Sequence, residues 1–307
     1  MVLVTDDDAE SNADDDARFQ LAAQAAGRIV RRSRAHVRLT TKTLSRCTDI
    51  APSSSLYATD RASAAAGNHR IAFDQTVKQV ETLSNALVSH LDGLNVLMKH
   101  DTFHGLPATV IARSIAEVAA SCSWILRPEV SADERAARAY AVLFHSLENS
   151  TPQLIPEDAD RAVEMREKLI DLLSASGITV KRREKEGNKS EHVAQVSVGS
   201  AHVKTGYRIS DRVRAEIPAV GRMYAGLSSA AHGESLHVAN AWEIPDSFAR
   251  RIGIVVDESV MVWSKAVHRW FGVEPGLVGN EGDVKTIKQS IHPDVIAGIM
   301  ARREKGA

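Results

Sequence analysis

The sequence predicts a mainly α protein, an antiparallel helical bundle with one small inserted β-hairpin. Three observations carry that reading. Apolar residues recur every three or four positions over several long runs, the spacing that lines one face of a helix. Helix starters and breakers bound those runs, and only between Val193 and Tyr207 does the period shorten toward two. Plentiful Ala and Arg beside 5% aromatic residues favour helix over sheet.

Taken in order, residues 1–16 form an acidic leader with Asp6, Asp7, Asp8, Glu10, Asp14, Asp15 and Asp16, too poor in apolar residues to offset its ordering entropy and expected to be disordered. Residues 17–69 read as a basic helical segment followed by a linker. Arg28, Arg31, Arg32, Arg34, Arg38, Lys42 and Arg46 alternate there with Ile29, Val30, Val37 and Leu39, which fits either a phosphate-binding amphipathic helix or a solvated face neutralised by the leader. Ser, Ala and Gly from Pro52 to Asn68 mark the linker.

The bundle itself is expected over residues 70–275. Val77, Val80, Leu83, Leu87, Leu91, Leu94 and Met98 predict a long helix, and Pro107 opens a second that carries Val110, Ile111, Ile115, Val118, Cys122 and Ile125 to Pro128. Ser131 followed by Glu134 is a capping box for a third. Pro156 and Gly177 bracket a fourth. After a charged stretch read as a turn, KRREKEGNK, the hairpin is placed near 191–209, with Gly199 and Ser200 as its two-residue connection. Helix resumes with an interruption at Pro218, and Pro245 to Gly272 brackets the last long one. Residues 276–307 read as a Gly-rich tail with a short helix from Pro293.

Bulk properties narrow the function classes. The 307 residues are 44% hydrophobic, ample for a core, and a net charge of -1 gives no global basic field for nucleic acid. Cys47 and Cys122 make neither a disulfide framework nor a zinc spacing, so a reduced setting is the default. The N-terminus lacks the basic-then-apolar pattern of a secretory signal, and no apolar run reaches membrane-spanning length. A cytoplasmic location without membrane contact is the expectation. There is no phosphate-cradling glycine loop, dinucleotide fingerprint, GxSxG elbow or HExxH.

Two polar constellations stand out on helices otherwise built from small and apolar residues. Arg113 and Glu117 lie four apart on the second helix, which makes them a simple ion pair or one wall of a site. Tyr224, Ser228 and His232 fall within about 80° of each other on a helix at roughly 100° per residue. They form either a buried network that fixes helix register or an acid–base set in which His232 moves the proton. His100, His104, His232 and His237 also raise a metal site, without any carboxylate at a ligand spacing. No cofactor is expected.

The stretches RSIAEVAASCSWILRPEVSADERAAR and YAGLSSAAHG are similar to elements of a group of uncharacterised bacterial helical proteins carrying Arg-Ser-x-x-Glu and Tyr-x-x-Leu-Ser-x-x-Ala-His-Gly, over roughly residues 75 to 272. More distantly, a helical domain with a late histidine resembles the HEPN superfamily, many of whose members are metal-independent endoribonucleases of toxin and phage-defence systems. Their motif sets an arginine four to six residues before the histidine. Here Arg222 is the nearest preceding arginine, ten residues before His232, so Arg113 would supply the charge from another helix. The resemblance implies an RNA-targeting protein with His232 as acid or base and Arg113, Glu117, Tyr224 and Ser228 around it. The rival reading is a non-catalytic interaction or scaffold protein binding a protein partner or a second copy of itself. A metal-dependent hydrolase using the histidines is a third.

Overall fold

In the computed structural model the described residues are 6–47, 51–67, 69–98, 104–185, 188–231 and 245–272. They fold as ten α-helices and a small three-stranded antiparallel sheet, the mainly α architecture that the periodicity predicts. In chain order these are α1 (Asp6–Cys47), α2 (Leu56–Ala66), α3 (Arg70–Leu97), α4 (Gly105–Ile125), α5 (Ala132–Ser150) and α6 (Pro156–Ala175). Then come β1 (Thr179–Lys185), β2 (Asn188–Val198), β3 (Ala201–Lys204), α7 (Ile209–Glu216), α8 (Pro218–Gly221), α9 (Tyr224–Ala231) and α10 (Pro245–Phe271).

The helix ends follow the local chemistry. Ser131 accepts a hydrogen bond from the Glu134 backbone N–H at 3.1 Å, so the capping box opens α5 as expected. Gly177 turns at φ +74 and lets the Ile178 N–H reach back to the Leu173 carbonyl at 2.9 Å, closing α6. Pro218 restarts the chain in α8, and Gly221 lets that turn approach α7: a Cβ there would lie 2.6 Å from Arg214 Cα.

α4 sits at the centre. Its Ala108, Ala112, Ala116, Ala119 and Ala120 are fully buried, and α3 and α10 pack on it through Leu83, Leu87, Leu91, Leu94, Ile252, Val256, Val260 and Trp263. α1 lies along α3 and α10 and contributes Ala25, Ile29, Val30 and Val37 to the same core. A second core joins α5 and α6 to the sheet through Tyr140, Phe144, Ile170, Leu173, Val193, Val196, Val198 and Val203.

Four expectations are corrected here. The leader is helical from Asp6, as the opening turns of α1, and an acidic composition is compatible with a helix start. The presumed linker holds α2, capped by Ser55, and its Tyr57, Asp60 and Ala64 are buried. The basic run is helical as expected but belongs to the bundle rather than preceding it, and Arg34 and Arg38 both grip Asp92 of α3, at 2.5 and 2.6 Å. Against the burial that would raise it, those two guanidiniums hold the Asp92 carboxyl below its ordinary range. Lastly, the charged stretch after α6 includes β1, which pairs with β2, so the predicted hairpin is two strands of a three-stranded sheet. A bulge explains why Val193 and Val196 both face inward despite their odd spacing: Lys181 pairs with Gln195 but Arg182 with Val193, leaving Ala194 as the extra residue. The tail from residue 276 lies outside the described residues.

Candidate functional site

A single helix face organises the polar chemistry. On α4, Arg113, Glu117, Ser121 and Trp124 follow at i, i+4, i+8 and i+11 along one stripe, bordered by the buried Ala116 and Ala120. Arg113 Nε donates to Glu117 Oε1 at 2.8 Å and to Tyr224 Oη at 3.2 Å. The Tyr224 hydroxyl in turn donates to Glu117 Oε1, closing a triangle between α4 and α9. Arg113 and Glu117 keep 22% and 28% of their side-chain surface, so the cluster is half-buried and open on one side. Among the described residues Arg113 forms its hydrogen bonds from Nε, which leaves the two terminal nitrogens of its fork unengaged.

The electrostatics fit that geometry. Burial, then the hydrogen bond to the Glu117 carboxylate, pushes the Tyr224 phenol up to about 12, against the opposing pull of Arg113. Burial works to lower the Arg113 guanidinium, but Tyr224 and Glu117 outweigh it and raise it. At neutral pH the phenol is therefore a donor and the guanidinium a fixed cation.

The sequence reading thus finds Arg113, Glu117 and Tyr224 together. Ser228 lies one turn beyond Tyr224 on α9 and is half-buried. His232 falls outside the described residues, as do His100 and His237. His104 is exposed at the N-cap of α4. No group of three or more His, Cys, Asp or Glu side chains suited to a metal ion occurs among the described residues.

Other members of this face escape sequence reasoning. His90 of α3 is half-buried, and burial lowers its pKa against the charge of Glu117, which acts in the opposite direction. Further along α4, Arg212 of α7 is wedged between Trp124 and Tyr207, its Cζ 3.9 and 3.4 Å from the two ring centroids. Arg138 covers Trp124 at 4.8 Å, and His145 stacks on Tyr207 at 4.0 Å. The result is a ladder of alternating cations and rings. Burial brings the Arg212 guanidinium down to about 10, opposed by Tyr207 and Glu216. These side chains come from α4, α5, α7 and the loop before α7, so no local spacing signals them. The one legible hint is Trp124, on the same wheel position as the Arg113 stripe.

Fold and cluster together define a class: a helical bundle with an arginine–carboxylate–phenol triangle in a half-open position on its central helix. Compared with known protein families, characterised proteins and solved structures, the chain matches none.

Proposed function

We propose that this chain is a HEPN-like, RNA-targeting protein of a defence or toxin system, acting as a metal-independent endoribonuclease. The observation that supports the reading best is the posture of Arg113: its Nε is held by Glu117 and Tyr224 while its terminal fork is left for an anion. A guanidinium fork matches two phosphate oxygens, and one pre-oriented through Nε loses less freedom on binding them. In this reading Arg113 balances phosphate charge, His232 takes or gives the proton of a ribose 2′-hydroxyl, and Glu117, Tyr224 and Ser228 orient them.

The test is cleavage of structured and single-stranded RNA by the purified chain with chelator present. Arg113→Gln and His232→Ala are each expected to slow cleavage by about 10²-fold or more, and His232→Ala to do so without lowering the melting temperature. A wild-type chain that cleaves neither RNA sinks the reading, and cleavage that chelator removes transfers it to a metal-dependent hydrolase.

A second reading has its own observation. The triangle saturates itself, since Tyr224 and Glu117 each find their partners inside it, as expected of a network that fixes how α9 docks on α4. This would make the chain a non-catalytic interaction or scaffold protein. Under it, His232→Ala lowers stability by about 1 to 3 kcal/mol and no RNA is cut.

A further inference from the structure

We infer that Arg212 anchors an oxyanion-binding site for a phosphate-type ligand, further along the same face of α4 than the Arg113 cluster. The inference goes beyond the ribonuclease reading and does not depend on it. Three arginines are buried among the described residues: Arg135, Arg138 and Arg212, at 3%, 8% and 6% exposure. Buried cations are ordinarily paired with carboxylates, because leaving water without a counter-charge is costly. Arg135 has Asp60 and Arg138 has Glu134, each at 2.6 Å. Arg212 has no ion pair among the described residues.

The nearest carboxylate that could serve is already committed. Glu216 takes Arg127 on Oε1 at 2.5 Å and the Ser123 hydroxyl on Oε2 at 2.8 Å. What Arg212 does have is Ser121 Oγ, at a long 3.3 Å, a hydrogen bond with the Tyr207 side chain, and the rings of Trp124 and Tyr207, all of them neutral partners. Rings and hydroxyls stabilise a cation without cancelling its charge, and two hydroxyls cannot take up all five N–H groups of a guanidinium. Donors are in surplus nearby as well, for Arg138 Nε is buried with no partner.

Around Trp124, then, the guanidiniums of Arg127 and Arg138 are matched by Glu216 and Glu134, with Glu129 also 3.9 Å from Arg127 but 62% exposed, where solvent screens it, and the buried charge of Arg212 is the one left without a carboxylate of its own. An oxyanion with several acceptor oxygens in one rigid group answers both the charge and the unmatched donors. Phosphate esters have that chemistry, and the planar fork of an arginine binds them through two parallel bonds. Ser121 adds a hydroxyl at the same place.

His145 gives the readout. It stacks on Tyr207, and its pKa is lowered by burial first and then by the Arg212 charge, against a hydrogen bond to the Thr205 backbone. An anion seated on Arg212 cancels the second effect. The experiment is a pH titration of the His145 ring by NMR in the full chain, in chloride and then with dimethyl phosphate, a diester that does not itself titrate in this range. Saturable binding that moves the His145 midpoint upward is expected. Arg212→Lys keeps the charge but not the fork, and should bind about tenfold more weakly. Arg212→Gln should raise the His145 midpoint without ligand and abolish the response. Should that variant not fold, the wild-type arms decide alone. No saturable shift at His145, or one confined to Tyr224 signals, overturns the inference. Arg113→Gln should leave the His145 response intact, so failure here and failure of the ribonuclease reading are separable.

Discussion

Asp60 is the sharpest place to test how this fold is held. Its carboxylate accepts two hydrogen bonds from Arg135, Nε at 2.7 Å and Nη2 at 2.6 Å, and a third from the Trp270 indole at 2.8 Å. Asp60 and Arg135 are 2% and 3% exposed, and Trp270 is fully buried. Asp60→Ala strands a cation and an indole N–H in the core. Arg135 would keep only the Arg127 and Val130 carbonyls, at 2.9 and 2.7 Å, which accept a hydrogen bond without cancelling the charge. Removing one partner of such a pair costs about 3 to 5 kcal/mol. At roughly 2 to 4 °C per kcal/mol, the melting temperature should fall by roughly 6 to 20 °C. Urea unfolding should show the midpoint moving with the slope unchanged. The double variant Asp60→Leu with Arg135→Met, which removes both charges together, should recover most of the loss. A loss below about 1 kcal/mol for Asp60→Ala would falsify the view that this pair locks α2 and α5 to the end of α10.

Four other outcomes follow from the packing. Tyr224→Phe removes the hydroxyl shared by Arg113 and Glu117 and should cost about 1 to 3 kcal/mol in denaturant unfolding; an unchanged midpoint would mean the triangle does not hold α9. Gly199→Ala should destabilise by about 1 kcal/mol or more, because Gly199 sits at φ +53 with Asp133 directly against the added methyl, and a neutral result in a thermal melt would contradict that contact. His36 and His268 both meet Ser264 between α1 and α10, at 2.9 and 3.3 Å, and burial lowers both pKa values, with His268 adding to the effect on His36. The unfolded chain then binds protons more readily, so stability should drop as pH falls through about 6.5, and His36→Gln should flatten the drop; a pH-independent wild type refutes it. Cys122 is fully buried and its thiol is pushed up to about 12, so mass spectrometry of its peptide after alkylation at pH 8 should find it unmodified until the chain unfolds.

The long helices were legible because each leaves a stripe in the sequence that only one period explains. Val77 to Met98 and Phe248 to Trp270 are such stripes, with Pro156, Gly177 and Pro245 as punctuation. The site was legible only as far as local spacing reaches. Arg113 and Glu117 are neighbours on one helix turn, whereas their meeting with Tyr224 joins residues more than a hundred positions apart and was an inference from unsatisfied polarity. α2 escapes a reading by composition because the Ser-rich start and Gly67 of the stretch from Pro52 to Asn68 look like linker, and its one decisive residue, Asp60, is recognisable only through partners on α5 and α10. The Arg212 ladder was invisible for the same reason. Cation and ring stacking has no period in sequence when each rung comes from a different element.

The alanine face of α4 has a consequence for how this chain tolerates change. Side chains at a helix contact set the interaxial distance, typically 8 to 10 Å, and alanine holds the axes at the close end of that range. Ala112, Ala116 and Ala119 therefore act as spacers of fixed thickness beneath the polar stripe. Enlarging one of them by two methyl groups replaces none of the polar groups. It lifts the whole helix, and with it the register at which Arg113 meets Tyr224 and Trp124 meets Arg212. Variation that tunes the chemistry of this protein should accordingly surface on the hidden side of its central helix as readily as among the polar groups themselves.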